Sequence, residues 1–471
     1  MKRIPDELAS RIIRKALSNG GDYADVFIEH KHTISVQLED DKIEKVISGV
    51  DVGIGVRVIL EGRSSYAYGN DFSEDSLFNL AETVSKAAKE KRHEPNGSGA
   101  VTFNLKKASP QVDFRIELNP SAVGMDRKVL LVENANRVAR AVSQKVKQVI
   151  VSYRDSIQNV YVATSEGTVA EDERIQTVAF IQVIAAEGEV LQTGYEPVGG
   201  FIGFELFEKD SFDEIAGNVA QKAVTMLGAE KISGGRMPVV ISADAGGTMI
   251  HEAIGHGLEA DLAQEGLSVY SNMLGQRIAS PLITVIDDST LHNKRGSFRF
   301  DDEGVQSRKT VLVEEGILKG YMYDKLTAMK DKVDSTGNGR RESYENRPIP
   351  RMSNTFIASG NSDPREIVKS VNNGFFVKKM GGGQVNTVTG EFVFEVSEGY
   401  LIENGQIGEP VRGATLIGSG PEVLKSIDMV GNDMGFSIGT CGKDAQGVPV
   451  TDAMPTVRIP EMVVGGEVQN G

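Results

Sequence analysis

At 471 residues the chain is too long for one ordinary hydrophobic core, so two or three domains are expected. A composition of 40% hydrophobic and 25% charged residues excludes intrinsic disorder and describes a folded globular protein. Asp and Glu outnumber Lys and Arg by 66 to 51, and the formal net charge of -15, with no basic cluster to offset it, argues against nucleic acid or an anionic membrane as partner.

The opening MKRIPDELAS has no apolar core behind its basic residues and reads as neither a signal nor a transit peptide. No run of about 18 apolar residues follows anywhere, so cytoplasmic residence is the expectation. The single cysteine, Cys441, permits no intrachain disulfide and agrees with a reducing compartment. Residues 6–18 (DELASRIIRKALS) place Leu8, Ile12, Ile13 and Ala16 at helical spacing, and NGG at 19–21 ends that helix. Strand-like runs follow in YADVFIEH, ISVQLED and VGIGVRVIL, and then an amphipathic helix in SEDSLFNLAETVSKAAKE.

The same order returns from residue 126: a helix in DRKVLLVENANRVARAVSQ, strands in QVIVSYRDS, QNVYVATSEG and VAFIQVIAAEG, and a helix in SFDEIAGNVAQKAVTML. VGIGVRVILEGRSSYAYG at 52–69 and TVAFIQVIAAEGEVLQTGYE at 177–196 are alike, and each shortly precedes its helix. The pattern predicts a duplicated unit of helices and antiparallel sheet in residues 1–235, with repeats at 5–91 and 126–230 and a loop over 92–125 between them. A boundary near ISGGRMP opens a second domain, 236–471, where glycines are frequent and apolar runs short. There the pattern predicts a β-rich, barrel-like domain with one conspicuous helix at its start. The fold class is therefore α+β.

That helix contains HEAIGHGLEAD, residues 251–261. Its histidines stand five apart, not four as in the HExxH helix of zinc hydrolases. In an α-helix five residues turn the two rings about 140° apart, whereas a π-type turn of about 82° per residue brings them within about 50°. The HExxxH spacing thus predicts a helix distorted near Ile254–Gly257, eased by Gly255 and Gly257, with His251 and His256 on one metal. Glu252 stands where a carboxylate can take a proton from a water activated by zinc. Two imidazoles are too few ligands, and Glu259, Asp261 and Cys441 are the candidates for a third.

Six stretches in order, MIHEAIGHGLEAD, FDDEGV, STGNGRRESY, RPIPRMSNTFIASG, GYLIENGQIGEPVRGATLIG and CGKDAQGVPV, resemble the TldD branch of the TldD/PmbA family of zinc-dependent peptidases, also called modulators of DNA gyrase. The resemblance implies a metallopeptidase in which His251, His256 and Cys441 hold Zn2+ and Glu252 is the general base. Because all four residues are present, the chain is similar to the catalytic type and not to the PmbA/TldE type, in which the metal motif is lost. The same resemblance implies a dimer, with itself or with a PmbA/TldE-like subunit, enclosing the site so that only short or unfolded peptides enter.

Other features bear on substrate. An extended peptide can add as a strand to a free sheet edge, and Gly382, within GGG at 381–383, would let backbones approach closely in such a groove. The triplet lacks the Lys-Ser/Thr signature of a phosphate loop. Arg340, Arg341, Arg351 and Asn354 read as groups that orient a peptide or its terminal carboxylate, or else as clamps within a loop or dimer contact. Asp301–Gly304 lack calcium-loop spacing and read as a turn or structural salt bridge. The expected function is a zinc-dependent peptidase; its rivals are a non-catalytic structural or regulatory subunit and a zinc amidohydrolase acting on a small molecule.

Overall fold

In the computed structural model the described residues are 3–90, 103–209 and 211–466; His93 and the start of the expected 92–125 loop lie outside them. The first helix, α1 (Asp6–Ala16), buries Ala9, Ile12, Ile13 and Ala16. It leads into β1 (Tyr23–Glu39), β2 (Lys42–Leu60), β3 (Arg63–Gly69) and α2 (Glu74–Glu90). The order then repeats as α3 (Met125–Ala141), β4 (Val146–Thr164), β5 (Thr168–Glu187), β6 (Val190–Gly200) and α4 (Phe212–Leu227). The strands are longer than their sequence suggests. YADVFIEH and ISVQLED are one strand, β1, and QVIVSYRDS and QNVYVATSEG are one strand, β4. The polar residues His30–Thr33 look like a break, but they are paired on both sides, to β2 and to β4, so the ladder carries the chain straight through.

The six strands form an antiparallel sheet in the order β3-β2-β1-β4-β5-β6, in which β1 and β4 join the two halves and β6 is an edge. Each pair of helices covers its own half of one face. Ile12, Ile13, Leu77 and Val84 pack on Val26, Ile54, Val56 and Val58, while Val132, Ala135, Val219 and Ala223 pack on Val149, Val151, Ile181 and Val183. Burying a side chain of this size contributes about 1.5–3 kcal/mol, so each half has its own core.

The C-terminal part contains β7 (Gly235–Ile241), β8 (Val285–Asp288), β9 (Lys309–Glu314), β10 (Asn354–Ile357), β11 (Asn373–Val385), β12 (Glu391–Glu403), β13 (Thr415–Ser419), β14 (Gly435–Lys443), β15 (Gln446–Met454) and β16 (Val457–Gly465). Strands β11, β7, β16, β13 and β12 pair in sequence, and β12 pairs back to β11, closing a five-stranded barrel. Closure satisfies both edges of every barrel strand where the ladder runs. A second sheet runs β9-β8-β10-β15-β14, leaving β14 as an edge. The HExxxH helix is buried with them: Met249, Ile250 and Ile254 share a core with Phe375, Phe394, Val448 and Val450.

The far face of the N-terminal sheet meets the FDDEG loop through buried ion pairs. Arg174 reaches Asp302 at 2.7 Å and Arg57 reaches Glu303 at 2.7 Å. Asp301 accepts backbone N–H groups from Glu303, Val305 and Gly339. Asp302 and Glu303 thus clamp the two domains, while Asp301 holds the loop that presents them. Arg174 also pairs with Asp172 and Arg57 with Asp25, so loss of one loop carboxylate leaves each arginine a partner. No helix among the described residues is long and apolar enough to cross a membrane.

Candidate metal centre

HEAIGHG does not continue as an α-helix. One turn, Thr248–Ile250, is α-helical, His251–Gly255 is a π-helix, and His256–Leu258 tightens to a 3-10 turn. The wider turn absorbs the extra residue of HExxxH, and the two rings meet edge to face with centroids 4.9 Å apart. The glycines serve by leaving space, not by backbone freedom. Gly255 has right-handed angles, φ -54° and ψ -59°, but a Cβ there would lie 2.2 Å from Met352 Sδ, and one at Gly257 would lie 2.7 Å from the Tyr270 ring. At the start of the helix a Cβ on Gly247 would lie 2.4 Å from Asp452, so this glycine lets the helix abut β15.

The facing strands supply the rest. In the β14–β15 hairpin Ser437 opposes Asp452 and Cys441 opposes Val448, so an even spacing puts Cys441 and Asp452 on one face of the pleat, toward the helix. The ligand atoms of His251, His256 and Cys441 lie within 4.8 Å of one another, with His256 Nε2 3.5 Å from Cys441 Sγ. Tetrahedral zinc sets nitrogen and sulfur donors about 3.3–3.6 Å apart, so the donor set fits such an ion.

Each imidazole is aimed by a carboxylate. His251 Nδ1 bonds Asp452 Oδ1 at 2.8 Å and His256 Nδ1 bonds Glu259 Oε2 at 2.9 Å, which frees both Nε2 atoms for a ligand. Glu259 is in turn held by Lys443 Nζ at 3.2 Å. Burial pushes its carboxyl up, but Lys443 and His256 outweigh that and bring it down to about 2. Burial likewise lowers His256, while Glu259 and Cys441 raise it to about 10. For Cys441 burial raises the thiol and the two histidines bring it down to about 6, so the cluster holds a thiolate at neutral pH. Asp452→Asn, which keeps the shape but removes the charge behind His251, should weaken metal affinity 10- to 100-fold in a competition titration with a chromophoric chelator. Unchanged affinity would leave Asp452 without a role.

A cleft of about 530 Å³ reaches this cluster at His251, with Glu252, half-buried, on the same wall. Its sides come from Thr193–Pro197 on the edge strand β6, from Phe436–Thr440 on the edge strand β14, and from Lys379–Gly382. On β11 the register jumps from Met380 opposite Val396 to Gly383 opposite Phe394, so Gly381 and Gly382 together oppose Glu395 in a bulge.

Family models cover most of the chain: domain 1 of the PmbA/TldA metallopeptidases matches residues 24–88, the central domain 118–227 and the C-terminal domain 234–466. The chain belongs to the PmbA/TldD metallopeptidase family. A Metalloprotease TldD homolog of Haemophilus influenzae is 37% identical over 94% of this chain and 93% of its own. A metalloprotease of Methanocaldococcus jannaschii is 36% identical over 93% of this chain and 96% of its own. A Zinc metalloprotease TldD homolog of Saccharolobus solfataricus is 26% identical over 97% of this chain and its own full length. In fold, the chain matches TldE from Thermococcus kodakarensis with a TM-score of 0.77 at 18% identity, over 98% of this chain and 100% of that one.

Within this family member the structure separates residues that sequence had grouped. Of the five groups expected at the substrate, Gly382 lines the cleft, Arg340 and Arg341 border a separate cavity, and Arg351 and Asn354 line neither. Arg351 is fully buried and donates to the carbonyls of Cys441 and Gln446, so it pins the hairpin that carries Cys441. Asn354 is 1% exposed and spends its amide on Asp288, Ser297 and Gly296. Both side chains are thus spent on contacts inside the fold. Glu259 and Asp261, weighed as third ligands, are committed to His256 and Lys443. Sequence reasoning missed Asp452 and Lys443. Lys443 carries a legible signal, since it stands two residues after Cys441 on a strand and must share its face.

Proposed function

We propose that this family member is a zinc-dependent peptidase that hydrolyses peptide bonds in short or unfolded peptides. His251, His256 and Cys441 hold the ion and Glu252 is the general base. The observation that carries this reading is the convergence of three ligand atoms, with both imidazoles backed by carboxylates, beside a cleft between two strand edges. A thiolate with two imidazoles favours zinc over magnesium or calcium, and the Saccharolobus relative is named a zinc metalloprotease. The bound ion supplies Lewis acidity, polarising a carbonyl and lowering the pKa of a water. Glu252 would act as the base for a water so activated and return the proton to the leaving amine. The edges of β6 and β14 offer backbone N–H and C=O groups to an extended chain whatever its sequence, and the Gly381–Gly382 bulge leaves it room. A folded substrate has few unpaired strands to offer, which selects short or unfolded ones.

Metal content by elemental analysis, with cleavage of a denatured protein in the presence and absence of a chelator, tests the reading. About one zinc per chain and chelator-sensitive cleavage are expected, and chelator-resistant cleavage would overturn it. The working unit is a cytoplasmic dimer, with a second copy or a PmbA/TldE-like subunit, and sedimentation of the chain alone and mixed with such a subunit reads this directly.

The charge state of the cluster gives metal uptake a pH dependence. Above pH about 6 Cys441 is already a thiolate, but His256 stays an imidazolium up to about 10 and must release its proton to bind. Affinity should therefore rise with pH across this range, and calorimetry in buffers of different ionisation enthalpy should register proton release at pH 7.5. Buffer-independent heats would contradict the assignment of His256.

A further inference from the structure

A second cavity, of about 470 Å³, lies between the N-terminal sheet and the C-terminal domain. It shares the wall Tyr195, Pro197, Ile438, Gly439 and Thr440 with the cleft at the metal cluster. In a chain of net charge -15 its lining is cationic: Lys31, Arg154, Arg174, Arg295, Arg340 and Arg341 border it, against the carboxylates of Asp302 and Glu342.

Some of these charges are already answered. Arg174 is paired with Asp302 and Asp172, and Arg341 lies 3.8 Å from Asp25. Among the described residues, no carboxylate is within ion-pair distance of Arg154, Arg295 or Arg340. Arg295 donates from its guanidinium to Gly439 O, Thr440 Oγ1 and Gln176 Oε1, and Arg340 donates to Met352 O and Pro449 O. A guanidinium has five N–H groups, so each retains donors. Arg340 is only 5% exposed. Burial and the neighbouring charge of Arg154 bring Arg295 down to about 10 against the opposing effect of Tyr195, while Asp302 and Asp287 partly answer the charge of Arg340. Such a set around a void is costly unless a ligand of opposite charge enters it, and paired guanidinium N–H groups match the two oxygens of a carboxylate.

Resting on the peptidase reading, we propose that this cavity is the subsite that receives a carboxylate of the peptide substrate, with Arg154 and Arg295 at its mouth and Arg340 behind them. Arg295 bonds Gly439 and Thr440, two and one positions before Cys441 on β14. At about 3.3 Å per residue, an extended peptide bridges cavity and metal cluster with roughly three residues or fewer. The chemistry recognised is a carboxylate close to the scissile bond, from either the chain terminus or an Asp or Glu side chain.

Binding to the chelator-treated, metal-free full chain tests this without hydrolysis. Four fluorescently labelled Ala/Gly hexapeptides serve as probes, with a free C-terminal acid, a C-terminal amide, an amide containing one Glu, and the same amide with Gln. If the terminus is the source, the acid binds roughly 10-fold or more tightly than the amide; if a side chain is, the Glu peptide exceeds the Gln peptide by a similar factor. Arg154→Gln, at an exposed position, should reduce the ratio several-fold with an unchanged circular dichroism spectrum. Equal affinity for all four probes, no binding of any, or a ratio untouched by Arg154→Gln would overturn the subsite. Loss of the peptidase reading looks different: carboxylate-dependent binding would persist while the zinc-loaded chain cleaved nothing.

Discussion

Glu252→Gln should lower kcat on an unfolded protein by about 10²- to 10⁴-fold while the zinc content stays at one per chain. The substitution keeps size and hydrogen-bonding shape but removes the basic oxygen. Glu252 is not one of the three converging donors and lies on the cleft wall, so losing its charge leaves the cluster of His251, His256 and Cys441 intact. On the proposed reading, peptide binding runs through strand edges, so KM should change far less than kcat. Elemental analysis beside steady-state kinetics separates the two effects. A variant with wild-type kcat would remove Glu252 from the chemistry, and one that lost its zinc would make it part of the metal site.

His256→Ala should abolish zinc uptake and cleavage together, yet leave a folded chain. Its imidazole supplies one donor and its removal opens a hole in the cluster, but the carboxylate behind it is not stranded. Glu259 keeps Lys443 at 3.2 Å and Arg351 at 4.0 Å, so it stays compensated where it is buried. The loss of stability should fall short of the about 3–5 kcal/mol that follows when a buried charge loses its only partner. A thermal melt followed by circular dichroism checks the fold, and elemental analysis checks the metal. Full zinc occupancy in this variant would take His256 out of the site, and His251, Cys441 and some other donor would have to be sought.

These expectations rest on features of unequal legibility. A structural role for Asp301–Gly304 could be anticipated, since three adjacent carboxylates suit no calcium loop, and the structure makes it both a turn at Asp301 and ion pairs at Asp302 and Glu303. The roles of Arg351 and Asn354 could not be, because an arginine in a polar stretch looks the same whether it faces solvent or the back of a hairpin. Burial decides between those uses, and burial depends on what packs over the residue. The cationic cavity is equally hidden: Lys31, Arg154, Arg174, Arg295, Arg340 and Arg341 are spread along the chain amid an excess of acidic residues, and only the docking of the N-terminal sheet on the loops and β14–β15 hairpin of the C-terminal domain collects them.

By itself the sequence determined the local structure, because periodicity, helix stops and turn residues act over a few positions. It yielded the repeated order of helices and strands, the β-rich second half, and a helix that must distort to bring His251 and His256 together, as its π turn does. The tertiary structure alone decided which carboxylate stands behind each metal-facing imidazole, which strands have free edges, and where cations gather. Asp452 is 201 residues from His251, and Cys441 is 185 from His256. Contacts over such separations depend on strand register and on sheet-to-helix packing, and in both a shift of one residue would turn a ligand away from the site.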